Sequence, residues 1–358
     1  MSAGDGLSER FAGCLLGGAA GDALGAAVEF HSRDQIVRTF GASGIRDFAP
    51  AYGRRGAVTD DTQMTLFTAE GLIRAALRPA GEAPDDTAAA AVYRAYLRWL
   101  ATQGEAPLGG PGAPNDGWLL GLPALHARRA PGRSCVSALR SGRMGTRAAP
   151  INDSKGCGGL MRAAPAGLIS AGDPERAFRL GSETAAITHG HPTGYLSAGA
   201  FAVIIDRLIA GETLAAAVAA GRARLRGETG AEETLAAMDA ALERAEAPPL
   251  PVEEAGLGEG WIAEEALAIA LYCALVEPDL ERAVVRAVNH SGDSDSTGAI
   301  AGNLLGAALG VAAVPARWHE ALELRDEILR LAEDMAAVVA GRVPMPQDDE
   351  WRRRYPPD

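Results

Sequence analysis

Along most of the chain, apolar and small residues fall at three- and four-residue spacing, the period of helices buried along one face. Over 7–27 the positions Phe11, Cys14, Leu15, Gly18 and Asp22 keep that spacing, which predicts a buried first helix whose small residues admit close neighbours. After an irregular stretch at 41–56, punctuated by Gly and Pro, the period returns in Met64, Phe67, Gly71, Ile73 and Leu77. Further helices are predicted over 86–102, 118–127, from about 160, over 174–188 and over 192–209, with more exposed ones at 213–226 and 232–245. The last third adds helices at 262–275, 280–289, 297–309 and 316–340.

Two breaks interrupt this pattern. Residues 131–159 alternate basic, Gly and small side chains. A structureless run of that length inside a compact domain is expected to be a binding segment or ligand wall. Residues 247–260 carry Pro248, Pro249, Pro251, Gly256, Gly258 and Gly260 and read as a surface excursion within one domain. The expected organisation is a single domain over 1–342 followed by a polar C-terminal tail over 343–358.

Composition sharpens the fold class. The 358 residues are 47% hydrophobic but only 5% aromatic, with 44 glycines, a mixture suited to closely approaching helices and to an all-α fold. A net charge of −12 disfavours nucleic acid as the main partner, because a phosphate backbone would be repelled. The densest basic run, Arg128 to Arg147, is interrupted by Pro and Gly and reads as solvated loop. Cys14, Cys135, Cys157 and Cys273 show no paired metal-ligand spacing, so neither a disulfide framework nor a zinc site is expected, and a reducing cytoplasm is the expected compartment. Met1 to Arg10 lacks signal-peptide character, and no apolar run is long enough to span a bilayer.

The chemistry is expected at two acidic clusters, Thr59-Asp60-Asp61-Thr62 and Asp293-Ser294-Asp295-Ser296-Thr297, each at the mouth of a predicted helix. Taken singly, each is a good helix cap, and Asp60 with Gln63 has capping-box spacing. Together they supply four mutually repelling carboxylates plus hydroxyls ahead of Gly/Ala-rich helices, which points to a cation site. Oxygen donors without neighbouring His or Cys suit hard cations such as Mg²⁺ or Mn²⁺, and four carboxylates suffice for two ions. Such a pair can hold vicinal hydroxyls and sharpen a water nucleophile. The glycines at 156–159, just before a helix start, are suited to cradling a diphosphate.

These segments resemble, in order, the signatures of the ADP-ribosylglycohydrolase family. The run Gly13-Cys14-Leu15-Leu16-Gly17-Gly18-Ala19-Ala20-Gly21-Asp22-Ala23-Leu24-Gly25, ending at Glu29-Phe30, is similar to the family's first helix, and Thr59-Asp60-Asp61-Thr62 to its first metal motif. Ser154-Lys155-Gly156-Cys157-Gly158-Gly159-Leu160-Met161-Arg162 resembles its ligand loop, and Ile187-Thr188-His189-Gly190-His191-Pro192 its Thr-His segment. Gly292 to Gly302 resembles the second metal motif.

The resemblance implies an all-helical fold with two Mg²⁺ or Mn²⁺ ions in a cleft, cutting the bond between the anomeric carbon of ADP-ribose and a modified group. It implies Thr59, Asp60, Asp61, Asp293, Asp295 and Ser296 as metal ligands, with Glu29, Asp60 and Asp61 as the candidates for activating water. Ser154, Lys155 through its backbone, Gly156, Cys157, Gly158, Gly159 and His189 are implied as substrate contacts. Cys157 stands where many relatives carry Asn, and no role is assigned to His191. Asp22 is read as a buried carboxylate supporting the site. Asp-Ser-Asp-Ser-Thr-Gly resembles the arginine-directed branch, so an ADP-ribosyl-arginine bond, on a protein or a small molecule, is the expected substrate. A silent ADP-ribose binder and a di-metal phosphohydrolase remain the alternatives.

Overall fold

The computed structural model describes residues 3–78, 86–109, 112, 114–342 and 349–357. It is all-α: among the described residues there are seventeen α-helices and a single two-stranded hairpin, Pro50–Ala51 paired with Arg54–Arg55. The first half holds α1 (Ala3–Gly25), α2 (Arg33–Phe40), α3 (Asp60–Ala76), α4 (Asp86–Thr102), α5 (Arg133–Arg140), α6 (Ala164–Ser170), α7 (Pro174–Ala186) and α8 (Pro192–Ile209). The exposed pair α9 (Leu214–Leu225) and α10 (Glu232–Ala245) follows, then α11 (Val252–Ala255), α12 (Ala263–Val276), α13 (Leu280–Val288) and α14 (Ser294–Leu309). The chain closes with α15 (Ala316–Ala321), α16 (Arg325–Val339) and α17 (Asp349–Arg354).

The centre of the molecule is the antiparallel pair α1 and α14, which lie backbone against backbone. Gly13, Gly17 and Gly21 on α1 face Gly306, Gly302 and Gly298 on α14, every fourth residue on each helix. A Cβ on Gly17 would stand 2.5 Å from the Gly302 carbonyl oxygen, so no side chain fits between them. One turn further, a Cβ on Gly25 would meet Asp295 Cα at 2.5 Å, and the same seam thereby brings α1 to the second acidic cluster. The rest of the core packs around this pair, with Phe11, Leu16, Leu24, Phe67, Trp99, Phe201 and Trp318 all buried.

Several sequence expectations are corrected. The 131–159 segment is not structureless: Cys135, Val136, Ala138 and Leu139 form the buried face of α5, a helix of eight residues, too short for its period to stand out among Arg and Ser. Residues 33–40 form α2, opened by Ser32, which shares a capping box with Gln35. The stretch 118–127 holds two 3₁₀ turns, Leu119–Gly121 and Pro123–Leu125, separated where Pro123 cannot donate to a continuing helix. The single helix expected over 316–340 is broken into α15 and α16, with Leu324 at φ 58° and the Glu323 carboxylate turned inward to the Arg129 guanidinium (3.1 Å to Nη2). Gln63 does not close a capping box: its Oε1 accepts from Trp99 Nε1 and Gln103 Nε2 instead.

Residues 343–348 and 358 of the polar tail lie outside the described residues. The remainder of that tail docks, with Tyr355 buried and its hydroxyl donating to Asp334 Oδ2 at 2.7 Å, and with the Pro356 carbonyl accepting from Arg74 Nε at 2.9 Å.

The glycine seam is testable by overpacking. Gly302→Ala should cost about 1–3 kcal/mol, since both backbones must part. Gly121→Ala, where nothing lies within 4 Å of the added Cβ, should be near neutral. Urea midpoints that fail to separate the two variants would contradict the seam.

Candidate active site

The site is built outward from α1. Asp22, fully buried, accepts hydrogen bonds from the backbone N–H of Thr59 (3.0 Å) and Thr62 (3.1 Å) and from the Thr62 hydroxyl (2.5 Å). It thereby satisfies donors at the start of α3, which otherwise have no intrahelical acceptor, and pins that end of α3 to α1. Burial, then the charge of Asp295, pushes its carboxyl up to about 7. Thr59 is the N-cap of α3; its hydroxyl accepts from Asp61 N–H at 3.3 Å. The segment ahead of α3 is also fixed by Arg129, whose guanidinium donates to the Val58 carbonyl (2.8 Å) while its own carbonyl accepts from Asp60 N–H (3.3 Å).

The two acidic clusters meet. Ser296 Oγ donates to Asp61 Oδ2 at 2.8 Å, a contact between residues 235 apart in sequence. Asp60 Oδ2 accepts from Gly132 N–H at 3.0 Å, tying α3 to the wall made by 130–135. Asp293 sits at the start of α14, and its N–H donates to the Glu259 carbonyl at 2.9 Å. Carboxylate oxygens of Glu29, Asp293 and Asp295 all lie within 4.8 Å of one another, and Oε2 of buried Glu29 has no hydrogen-bond partner. Asp60, Asp61, Asp293, Asp295, Ser296 and Glu29 line one cleft of about 480 Å³; Thr59 is fully buried at the N-cap of α3.

These carboxyls resist ionisation. Burial, then the charges of Asp295 and Asp293, pushes Glu29 up to about 11. Burial first, with neighbouring carboxylates adding to it, also holds Asp60, Asp61 and Asp293 well above the ordinary range, and burial raises Asp295. Buried like charges cost several kcal/mol unless opposite charge compensates them, and no Lys or Arg pairs with these carboxylates among the described residues. An all-oxygen donor set with an orphaned carboxylate oxygen therefore fits hard divalent cations. The Cys157 thiol donates to Asp293 Oδ2 at 2.7 Å and is pushed well above its ordinary pKa by burial, then by the Asp293 charge, so it stays a protonated donor.

The glycine-rich loop forms the opposite wall. Ser154 is oriented by Asn152, whose Oδ1 accepts from both Ser154 N–H and Gly190 N–H at 3.0 Å, and by the Ser134 hydroxyl at 2.8 Å. Gly156 N–H donates to Ser154 Oγ and Cys157 N–H to the Trp261 carbonyl. Gly156, Cys157 and Gly158 line the cleft, and a Cβ on Gly158 would crowd Cys135 Sγ (3.0 Å) and the His189 ring (3.1 Å). Gly159 is buried behind them against Ala185. The Lys155 ammonium is turned away to Glu264 (2.6 Å) and Glu233 (2.8 Å), which leaves only its backbone at the loop. His189 lines the cleft and is kept neutral by burial, then by the Arg162 charge, with its pKa lowered to about 3. His191 caps α8 through Nδ1.

Sequence reasoning missed Gly132, Ser134 and Cys135, whose short helix had no legible period, and the Phe30 and Trp261 rings stacked at the rim (6.1 Å between centroids). Trp261 carried a signal, an aromatic isolated beside a glycine-rich segment in an aromatic-poor chain.

Comparison with known proteins gives the class. The family model for ADP-ribosylglycohydrolase matches residues 3–344. An uncharacterized protein of Archaeoglobus fulgidus is 29% identical, covering 91% of this chain and 95% of its own. ADP-ribosyl-[dinitrogen reductase] glycohydrolase of Rhodospirillum rubrum is 26% identical (94% and 99%), and ADP-ribosylhydrolase ARH3 of Bos taurus 28% (92% and 93%). A solved structure described as an ADP-ribosylglycohydrolase-related protein complex superposes with a TM-score of 0.69 at 26% identity, covering 94% of this chain and 99% of that one. The chain belongs to the ADP-ribosylglycohydrolase family, and it is a hydrolase of glycosidic bonds to ADP-ribose. Among the described residues no helix is long and apolar enough to cross a membrane.

The electrostatics predict an inverted pH dependence. A carboxyl with a raised folded-state pKa binds more protons folded than unfolded, so stability is lost as pH rises from its unfolded value. Asp22 sets a window from 3.8 to about 7 and Glu29 one from 4.5 to about 11. In EDTA the melting temperature should therefore fall between about pH 5 and pH 8. Millimolar Mg²⁺ or Mn²⁺ should raise it by several degrees, more at the higher pH, by binding only the folded state. Melting curves indifferent to both cations and EDTA would refute a cation site.

Proposed function

We propose that the chain hydrolyses the N-glycosidic bond between ADP-ribose and arginine on a protein or small molecule, with two divalent cations, Mg²⁺ or Mn²⁺, as cofactors. The observation that carries this reading is the meeting of the two acidic clusters at Asp61 and Ser296, beside a Glu29 oxygen with no partner. Thr59, Asp60, Asp61, Asp293, Asp295 and Ser296 are assigned to holding the cations. When bound, such cations supply positive charge that lets these carboxylates ionise and that polarises sugar hydroxyls.

This chain's own groups divide the remaining work. Glu29, ionised, takes a proton from the water whose oxygen bonds to the anomeric carbon. The bond from that carbon to the arginine nitrogen breaks with oxocarbenium character, and the departing guanidine takes up a proton from solvent. Asp60 and Asp61 are the other contenders for that proton, but each already accepts a hydrogen bond, from Gly132 N–H and Ser296 Oγ respectively, whereas Glu29 Oε2 is free to accept one. Ser154, the Lys155 backbone, the 156–159 turn and neutral His189 are assigned to the ADP-ribose moiety. The name of the Rhodospirillum rubrum relative supports a protein-linked ADP-ribose substrate. The choice of arginine rests on Asp293-Ser294-Asp295-Ser296-Thr297-Gly298.

Incubation with ADP-ribosyl-arginine and ADP-ribosyl-serine peptides should release free ADP-ribose, identified by mass, faster from arginine and not in EDTA. Preference for the serine O-glycoside would overturn the substrate; AMP and a phosphoribosyl peptide as products would mark a phosphohydrolase, and no turnover a silent binder. Glu29→Gln should lower kcat by about 10²–10⁴-fold, the range for loss of a general base. Unchanged kcat would move that role to Asp60 or Asp61.

A further inference from the structure

Behind the glycine loop lies a buried cation with no carboxylate partner among the described residues. Arg162 is 1% exposed; its guanidinium stacks over the Tyr96 ring (4.2 Å) and touches Met64 Sδ (3.2 Å) and Cys135 Sγ (3.3 Å). Its Nη2 donates to Thr188 Oγ1 at 2.6 Å. A guanidinium has only donors, so the Thr188 oxygen accepts there and its single hydroxyl proton is left to point elsewhere. His189 Nδ1 stands 2.9 Å from the same oxygen. An imidazole lone pair is a far better acceptor than the neighbouring Cys135 sulfur, so that proton is directed to Nδ1.

We infer that Arg162 is a positioning residue: through Thr188 it fixes His189 as the tautomer carrying its proton on Nε2, making that atom a hydrogen-bond donor toward the substrate's diphosphate oxygens. Nε2 faces the glycines on either side of Cys157: a Cβ on Gly156 would lie 3.5 Å from it and one on Gly158 3.3 Å. The glycines leave the donor open to the cleft, and neutrality of the ring keeps the donor's direction fixed rather than offering a proton on both nitrogens. The ligand half of the inference rests on the ADP-ribose reading above; the tautomer half does not.

The tautomer is read directly from two-dimensional ¹⁵N–¹H spectra of the full-length protein labelled at histidine, with the His189 signals assigned by their loss in His189→Gln. The Nε2–H pattern is expected in the wild type. Thr188→Val should convert it to Nδ1–H or a mixture and weaken ADP-ribose binding about tenfold by calorimetry, and Thr188→Ser should restore both. A merely structural role for Thr188 would leave the tautomer unmoved. An Nδ1–H pattern in the wild type, or an unaltered tautomer in Thr188→Val, overturns the relay. A changed tautomer with unchanged ADP-ribose affinity overturns the donor role. If instead the wild type shows Nε2–H yet binds no ADP-ribose and releases none from any substrate, the failure belongs to the glycohydrolase reading and not to the relay.

Discussion

Contact between the backbones of α1 and α14 is the constraint on which the rest of the molecule depends. Glycines at every fourth position let the two helices approach until carbonyl oxygens and α-carbons touch. That approach decides where Asp22 and Asp295 lie, because each is carried on one member of the pair. Asp22 in turn holds the start of α3, so Asp60 and Asp61 are fixed relative to Asp293 and Asp295 by one rigid chain of contacts. A side chain anywhere along the seam would move the acidic clusters apart as well as loosen the core.

The energetic tension of the fold is concentrated at the point this seam creates. Helix starts favour negative charge, and both clusters benefit from that. Stacking two helix starts around Glu29 gathers more carboxylates than the helix termini can neutralise, and burial removes the water that would screen them. The arrangement is locally unfavourable and is compensated by the hydrophobic core around it; under the proposed function, bound cations would compensate it further. The buried Glu70 carboxylate, 3.0 Å from Arg98, has the opposite-charge partner that the cleft carboxylates lack among the described residues.

The wall opposite the acidic clusters works by different means. The 154–159 loop is held by main-chain bonds to the distant residues Trp261 and Ala263 and, next to it in sequence, by Asn152, so its shape is not set by its own glycines alone. Cys157 then fills the position between the two walls, donating to Asp293 as a thiol. Glu259 is the common tether, accepting from Asp293 N–H and, through its side chain, from the Trp261 ring nitrogen at 3.2 Å.

The sequence by itself determined the helical class, the extents of the long helices and the identity of the acidic clusters. Each of these is local: a 3.6-residue period, a cap, or adjacent carboxylates are legible within a few residues. Short elements were not, since eight residues such as α5 or α2 carry too few periods to rise above their loops, and the break at Leu324 adjoins a long-range pair of Glu323 with Arg129 that no local pattern contains. Only the tertiary structure decided that Asp61 reaches Ser296, that the Lys155 ammonium turns away to Glu233 and Glu264, and that Gly132 and Trp261 join the site. Those outcomes depend on where the α1–α14 seam sets the helices, a three-dimensional registry that no stretch of one-dimensional pattern contains.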